Sequence, residues 1–211
     1  MDYSSTVTRD ITDYYYGPLG EWDRQTQKPP ASWTSRAFAA TPEIDADIRQ
    51  RFAPLLAEYD KGELDHLKSN IEGQHALVIL LDQFTRNIFR GTGKAFSYDA
   101  GALAISLKAI ESGEVKKLRI FEQWTMGMPL MHSEDLEVQH RSIEYFRAMV
   151  KQSEALSEDL QGFFKQGVGY AESHKGTIER FGRYPHRNKY LGRESTAEEL
   201  EFLKDAPQWA K

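Results

Sequence analysis

From Thr41 onward the apolar residues recur at spacings of three and four, and no stretch alternates cleanly at every second residue. That pattern predicts helices almost throughout. Thr41-Pro42 opens the first of them, with Thr as N-cap and Pro at the first helical position, and Ile44, Ile48, Phe52, Leu55 and Tyr59 mark its inner face. Pro54 lies inside this pattern and is expected to kink or restart the helix. The most hydrophobic segment follows, EGQHALVILLDQFTRNIFRG, in which Leu77, Leu81, Phe84 and Ile88 form one stripe and Gly91 is a natural stop.

A third long helix is expected from about Phe96 to Ser112, ended by Gly113. Phe121, Trp124, Thr125 and Met128 mark another, closed by Pro129. A helix from Glu134 to about Lys151 would carry Leu136, His140, Ile143, Phe146 and Val150 inward, with Ser133 as its cap. One from about Glu158 to Phe181, behind Ser157, has Phe164, Val168, Ala171 and Ile178 on one side. The last begins at STAEEL, where Ser195 and Glu198 have capping-box spacing.

Short turns between amphipathic helices make neighbours antiparallel, so the expected fold is all-α, a stack of antiparallel helical hairpins forming one domain over residues 1–211. No strict repeat recurs, so any solenoid built this way has degenerate repeats. The outlier is a long irregular loop at about 17–40, which Trp22 and Trp33 are expected to dock onto the body.

Composition narrows the classes of partner. The 27 Lys plus Arg against 32 Asp plus Glu leave a net charge of -5, which argues against a general binder of nucleic acid or anionic membrane. The absence of cysteine excludes disulfides, thiolate nucleophiles and Cys-ligated metals, and suits a reducing cytoplasm. MDYSSTVTRD has neither a basic nor an apolar signal region, and ALVILL is far short of the ~20 residues of a membrane span. A soluble, cytoplasmic protein is expected.

Three polar clusters interrupt this conventional pattern. In LDQFTRNIFRG, wheel arithmetic sets Gln83, Arg86, Asn87 and Arg90 on one face, away from the Leu77/Phe84/Ile88 stripe. In MHSEDLEVQH, capping accounts for Ser133, Glu134 and Asp135 but leaves His132 over. RFGRYPHRNKYLGRE holds five basic residues and a histidine before its single acid, with His174 on the preceding helix. Arginine's donor fork matches carboxylates and phosphates, so this cluster fits either an anion site or a set of cross-links to acidic helix ends. No HExxH-like spacing, P-loop, nucleophile elbow or dinucleotide fingerprint is present, so neither a metal nor a cofactor is expected.

The segments LDQFTRNIFRGTGKAFSYD, MHSEDLEVQHRSI and HKGTIERFGRYPHRNKYLGRESTAEELEFL resemble, in order and spacing, the characteristic blocks of a bacterial family known as domain of unknown function 924. The resemblance covers roughly Thr41 to Leu203. It implies a fold like tetratricopeptide repeats, a right-handed α-α superhelix. It also marks Asp82, Gln83, Arg86, Asn87 and Arg90, then His132, Ser133, Glu134 and Asp135, then His174, Arg180, Arg183, His186, Arg187, Asn188, Arg193 and Glu194 as family positions. Over Asp10 to Arg36 the chain departs from it, with YYYGPLGEW where the family tends to have an FWFG-like opening.

The expectation drawn from these clusters is one polar cleft for a small anionic ligand or an acidic peptide terminus. Arg86, Asn87, Arg90, His174, Arg183, Arg187 and Asn188 would bind the ligand. A rival expectation is a hydrolase or lyase of a phosphorylated or carboxylated metabolite, with His132 or His186 as acid–base and Glu134 or Asp135 as partner. A third is that the clusters only fix helix packing. Tyr184 and Tyr190 offer rings for stacking RNA bases, against which the acidic body argues.

Overall fold

The structure is a computed structural model that describes residues 6–23, 28–30, 33, 41–156 and 158–210. Among them there is no strand, and the chain is all-α. The helices are α1 (Thr6–Tyr16), α2 (Pro42–Asp60), α3 (Ile71–Val78), α4 (Thr85–Ile88), α5 (Asp99–Glu111) and α6 (Ile120–His132), followed by α7 (Leu136–Ser153), α8 (Glu158–Phe181), α9 (Asn188–Leu191) and α10 (Ala197–Lys204). Between α3 and α4 the backbone widens into a π-helical segment, Ile79–Phe84. Single 3-10 turns at Gly93–Phe96, Pro185–Arg187 and Gln208–Ala210 matter below.

The run from Ile71 to Thr85 is buried at every residue but the half-buried Gln74. A helix that is apolar nearly all round belongs inside a protein, and here α1, α2, α5 and α6 surround it. On one side α6, α7 and α8 stack in sequence, α7 against α8 being the most extensive contact. Only a few residues join α7 to α8, so the chain must reverse there, as in a helical hairpin. One continuous apolar core runs from Ile11 to Ala171, with Phe52 stacked on Phe84 at 4.5 Å and Trp124 edge-on to Phe146 at 4.9 Å. Two glycines let the helices come this close. A Cβ on Gly167 would collide with the Trp124 ring, and one on Gly127 with Tyr145 and Phe146.

Several element ends differ from the pattern reading, each for a local reason. Pro54 and Pro129 both lie inside continuous helices, because the packing of α2 and α6 outweighs one lost backbone bond. Since α6 runs on past Pro129, His132 becomes its last residue. The cap of α7 is Asp135, whose carboxylate accepts from the Glu137 and Val138 amides, while the Ser133 hydroxyl accepts from Asp135 N–H. Leu136 and His140 are therefore exposed, and Gln139, Ile143, Phe146 and Met149 form the inner face. The box on α10 is Thr196 with Glu199, one residue later than the spacing of Ser195 and Glu198 indicated. In the loop at about 17–40, Leu19–Glu21 is a 3-10 turn and Trp22 and Trp33 are buried; Ser157 and most of the loop lie outside the described residues. No helix among the described residues is long and apolar enough to cross a membrane.

Candidate functional site

The π-helical segment carries Asp82 and Gln83, both buried in the interior. Gln83 is thus on the inner side, not on an exposed face with Arg86 and Arg90. Its amide N–H donates to Asp82 Oδ2, and its carbonyl accepts from Tyr15 O–H at 3.2 Å. The other oxygen of Asp82 meets His132 Nδ1 at 2.7 Å. Four side chains from α1, the π segment and α6 form one line, Tyr15–Gln83–Asp82–His132.

Asp82 is fully buried. Burial pushes its carboxyl up, but the Arg86 guanidinium and His132 outweigh that and hold it below the usual carboxylate range. His132 is pushed down by burial and by Arg86, against the pull of Asp82, so it is neutral at neutral pH. An ionised carboxylate beside a neutral imidazole takes the Nδ1 proton as donor. His132 Nε2 then carries the lone pair, and no described residue bonds it.

Two guanidiniums flank this pair. Arg86 reaches Asp82 at 3.3 Å and grips Asp99, at the start of α5, with two bonds of 3.0 and 3.1 Å. Arg187 is 7% exposed and lies between the Phe96 and Tyr184 rings, 4.6 Å from each centroid. It donates to the His132 carbonyl at 2.9 Å, approaches Asp99 only to 3.4 Å, and its Nε has no partner. Burial and Arg86 together push its pKa down.

Two more histidines close the far side. His174 is 6.2 Å from His132, ring to ring, and its Nδ1 lies 2.7 Å from the Tyr170 carbonyl, which fixes the proton there and leaves Nε2 unpaired. His186 has a buried Nδ1 with no partner. Burial, with smaller contributions from the neighbouring cations and histidines, pushes both to about 3. Trp209 stacks on His174 at 3.8 Å.

The remaining candidates are paired elsewhere. Asn87 and Arg90 both hold Asp45 on α2, at 2.8 Å and at 2.6 and 3.0 Å. Arg183 forms a two-pronged bond to buried Glu199, at 2.7 and 2.8 Å, and Asn188 adds Ser195 and Glu199. Arg193 grips Glu134, which also accepts from the Tyr184 amide at 2.9 Å. Glu134 and Asp135 therefore do not partner His132: the first is clamped, the second is a cap, and Asp82 takes the place expected of them. Tyr184 is fully buried, with its hydroxyl on the Met131 carbonyl and Gln139, so it offers no ring to RNA. No group of three or more His, Asp or Glu among the described residues is set to hold a metal ion. Tyr15, Asp99, Phe96 and Trp209 had no signal in the polar pattern beyond being single residues near the clusters.

An all-helical protein with a buried polar centre is the class this geometry defines. The chain belongs to the family of bacterial proteins of unknown function DUF924, whose model matches residues 11–207. It is similar to a solved protein of unknown function from Agrobacterium tumefaciens, with 27% identity and a TM-score of 0.75 over 97% of this chain and 100% of that one. A comparison with curated proteins gave no match.

Proposed function

We propose that the residues around Asp82 and His132 form a site for a small anionic ligand of the carboxylate or phosphate class, with His132 as proton acceptor. One observation carries this reading: a fully buried carboxylate fixes the Nδ1 proton of His132 at 2.7 Å, leaving Nε2 as the unpaired lone pair. That arrangement gives a base of defined tautomer and direction. Arg86 and Arg187 are balanced by Asp82 and Asp99, so an arriving anion would be held by donors left over, not by net charge. The chemistry is removal of a proton from a bound water or a substrate hydroxyl, as in a hydrolase or lyase of a phosphorylated or carboxylated metabolite.

For Asn87, Arg90, Arg183 and Asn188 the observed pairing favours a second role, cross-linking helices. The ligand set is accordingly Arg86, Arg187 and His174 around His132, with His186 beside them. The stacked hairpins α6–α8 support a tetratricopeptide-like arrangement in one domain, and the lack of cysteine supports a cytoplasmic setting. An acidic peptide terminus shares the carboxylate chemistry; membrane and nucleic acid do not fit the acidic chain.

His132→Asn is the test, because an asparagine amide can keep the bond to Asp82 while removing Nε2. Screened against phosphate monoesters, carboxylate esters and hydroxy acids, turnover should fall by about 10²–10⁴. Calorimetry of inorganic phosphate, acetate and an acidic peptide on wild type, Arg86→Ala and Arg187→Ala reports the binding half. Undiminished turnover in His132→Asn, or no binding of any of the three anions to wild type, removes the proposal.

A further inference from the structure

The histidine His174, 6.2 Å from His132, is covered by the 3-10 turn Gln208–Ala210. Its Trp209 stacks on His174 with the rings 3.8 Å apart and 21° from parallel, and sets its edge against Tyr184 at 5.5 Å and His186 at 5.7 Å. One indole thus covers the ring of His174 and borders the half-buried His186. What holds it is slight. Among the described residues, the side-chain hydrogen bond that ties residues 205–210 to the body is Trp209 Nε1–H to Ser173 Oγ, at 3.0 Å. Ala206 and Ala210 are buried, but no ion pair of residues 205–210 is present among the described residues. Asp205 and Pro207 separate this turn from α10.

We propose that the Trp209 turn is a strap that swings away to admit ligand to the histidine side of the site. The proposal rests on the acid–base reading of His132 for its purpose, though not for its physics. With the indole in place His174 is 6% exposed, and the face of its ring is taken by the stacked indole. With the indole away, His174 and His186 would share one opening with His132 and would face Arg86, Arg187 and Glu134, the charged groups around them. A short segment held by one indole, one side-chain hydrogen bond and two small buried alanines has the low local stability that a moving cover requires. Ligand-binding covers are drawn from that end of the stability range.

Diethyl pyrocarbonate, which carbethoxylates accessible neutral imidazole, reads the strap without any ligand, so its result is separate from the fate of the acid–base reading. His75 supplies the control, being fully buried away from the strap and held by Tyr16. In Trp209→Ala, modification of His174 followed by peptide mass spectrometry should accelerate by at least about tenfold while His75 stays slow; Trp209→Phe, which keeps a ring but loses the bond to Ser173, should fall between Trp209→Ala and wild type. In wild type, His174 should react faster than His75 and its rate should ignore low urea, the signature of local opening, whereas His75 should follow global unfolding. His75 accelerating in step with His174 in Trp209→Ala, or both histidines sharing one urea dependence in wild type, would overturn the strap.

Discussion

Two groups of arginines, built from the same residue types a few residues apart, end in opposite states. Arg183 and Arg193 are each matched fork to fork with a carboxylate, Glu199 and Glu134, and each adds a backbone carbonyl, of Glu194 and Tyr184. They tie the stretch after α8 to α10 and to the α6–α7 turn. Arg187 lies between them in sequence and deeper in space, yet it has no two-pronged carboxylate and meets Asp99 only at 3.4 Å. Its Nε is unpaired, as is that of Arg193, but in Arg187 it sits beside two histidines with unpaired ring nitrogens. A region evolved only to cross-link helices would not leave its most buried cation the least satisfied. Pairing, more than residue type, separates the clamps from the candidate site.

The sharpest way to break this contrast is to remove the carboxylate at its centre. Asp82→Ala leaves Arg86 and His132 without their shared partner in the interior and should cost about 3–5 kcal/mol in urea unfolding. Glu134→Ala removes a clamp with more solvent around it, its side chain being 27% exposed, and should cost about 1–3 kcal/mol. Equal losses would mean that the two regions do not differ.

Acid sharpens the contrast from the other side. The unfolded chain binds protons to histidine below about 6.5, whereas burial holds His75, His174 and His186 near 3 in the folded chain. The unfolded state therefore takes up more protons, and stability falls as pH drops from about 6.5 toward 3, by up to about 1.4 kcal/mol per pH unit for each histidine. Asp82, depressed below its ordinary 3.8, adds a contribution present above that value and lost as pH falls through its folded pKa. Urea midpoints from pH 7 to pH 4 should show this decline, and it should be shallower in His174→Gln. The clamps predict no such slope above pH 5, because burial raises Glu134 but Arg193 outweighs it, and Arg183 holds Glu199 low against burial.

Much of this molecule was legible in its sequence. The stripe Leu77, Leu81, Phe84 and Ile88 is buried as its spacing indicated, and Thr41 caps α2 as its chemistry required. The polar blocks did mark the residues that converge, His132, Arg86, Arg187 and His174. What spacing could not carry was direction. A π-helical segment shifts the phase of everything after it, so the wheel that set Gln83 outside with Arg86 failed at that turn. Helix continuation through Pro129 depends on packing around α6, and the choice of Asp82 over Glu134 as the partner of His132 spans 50 residues of chain. Such long-range pairings leave no periodic trace.

The smallest expected effect tests the clamp side alone. Arg90 binds Asp45 through two bonds, and Asn87 adds a third at 2.8 Å, so the drawing of that contact looks as strong as any in the protein. Yet the Arg90 side chain is 46% exposed, and water competes for its donors. Arg90→Ala should cost about 1 kcal/mol or less, and that loss should shrink further in 1 M salt, where the Debye length is only about 3 Å. Asn87, being uncharged and half-buried, should keep most of its contribution in salt. A loss of 3 kcal/mol or more at Arg90 (about what a buried pair costs) would show that the clamps carry buried-pair energetics too, and satisfaction of hydrogen bonds would no longer distinguish the two regions.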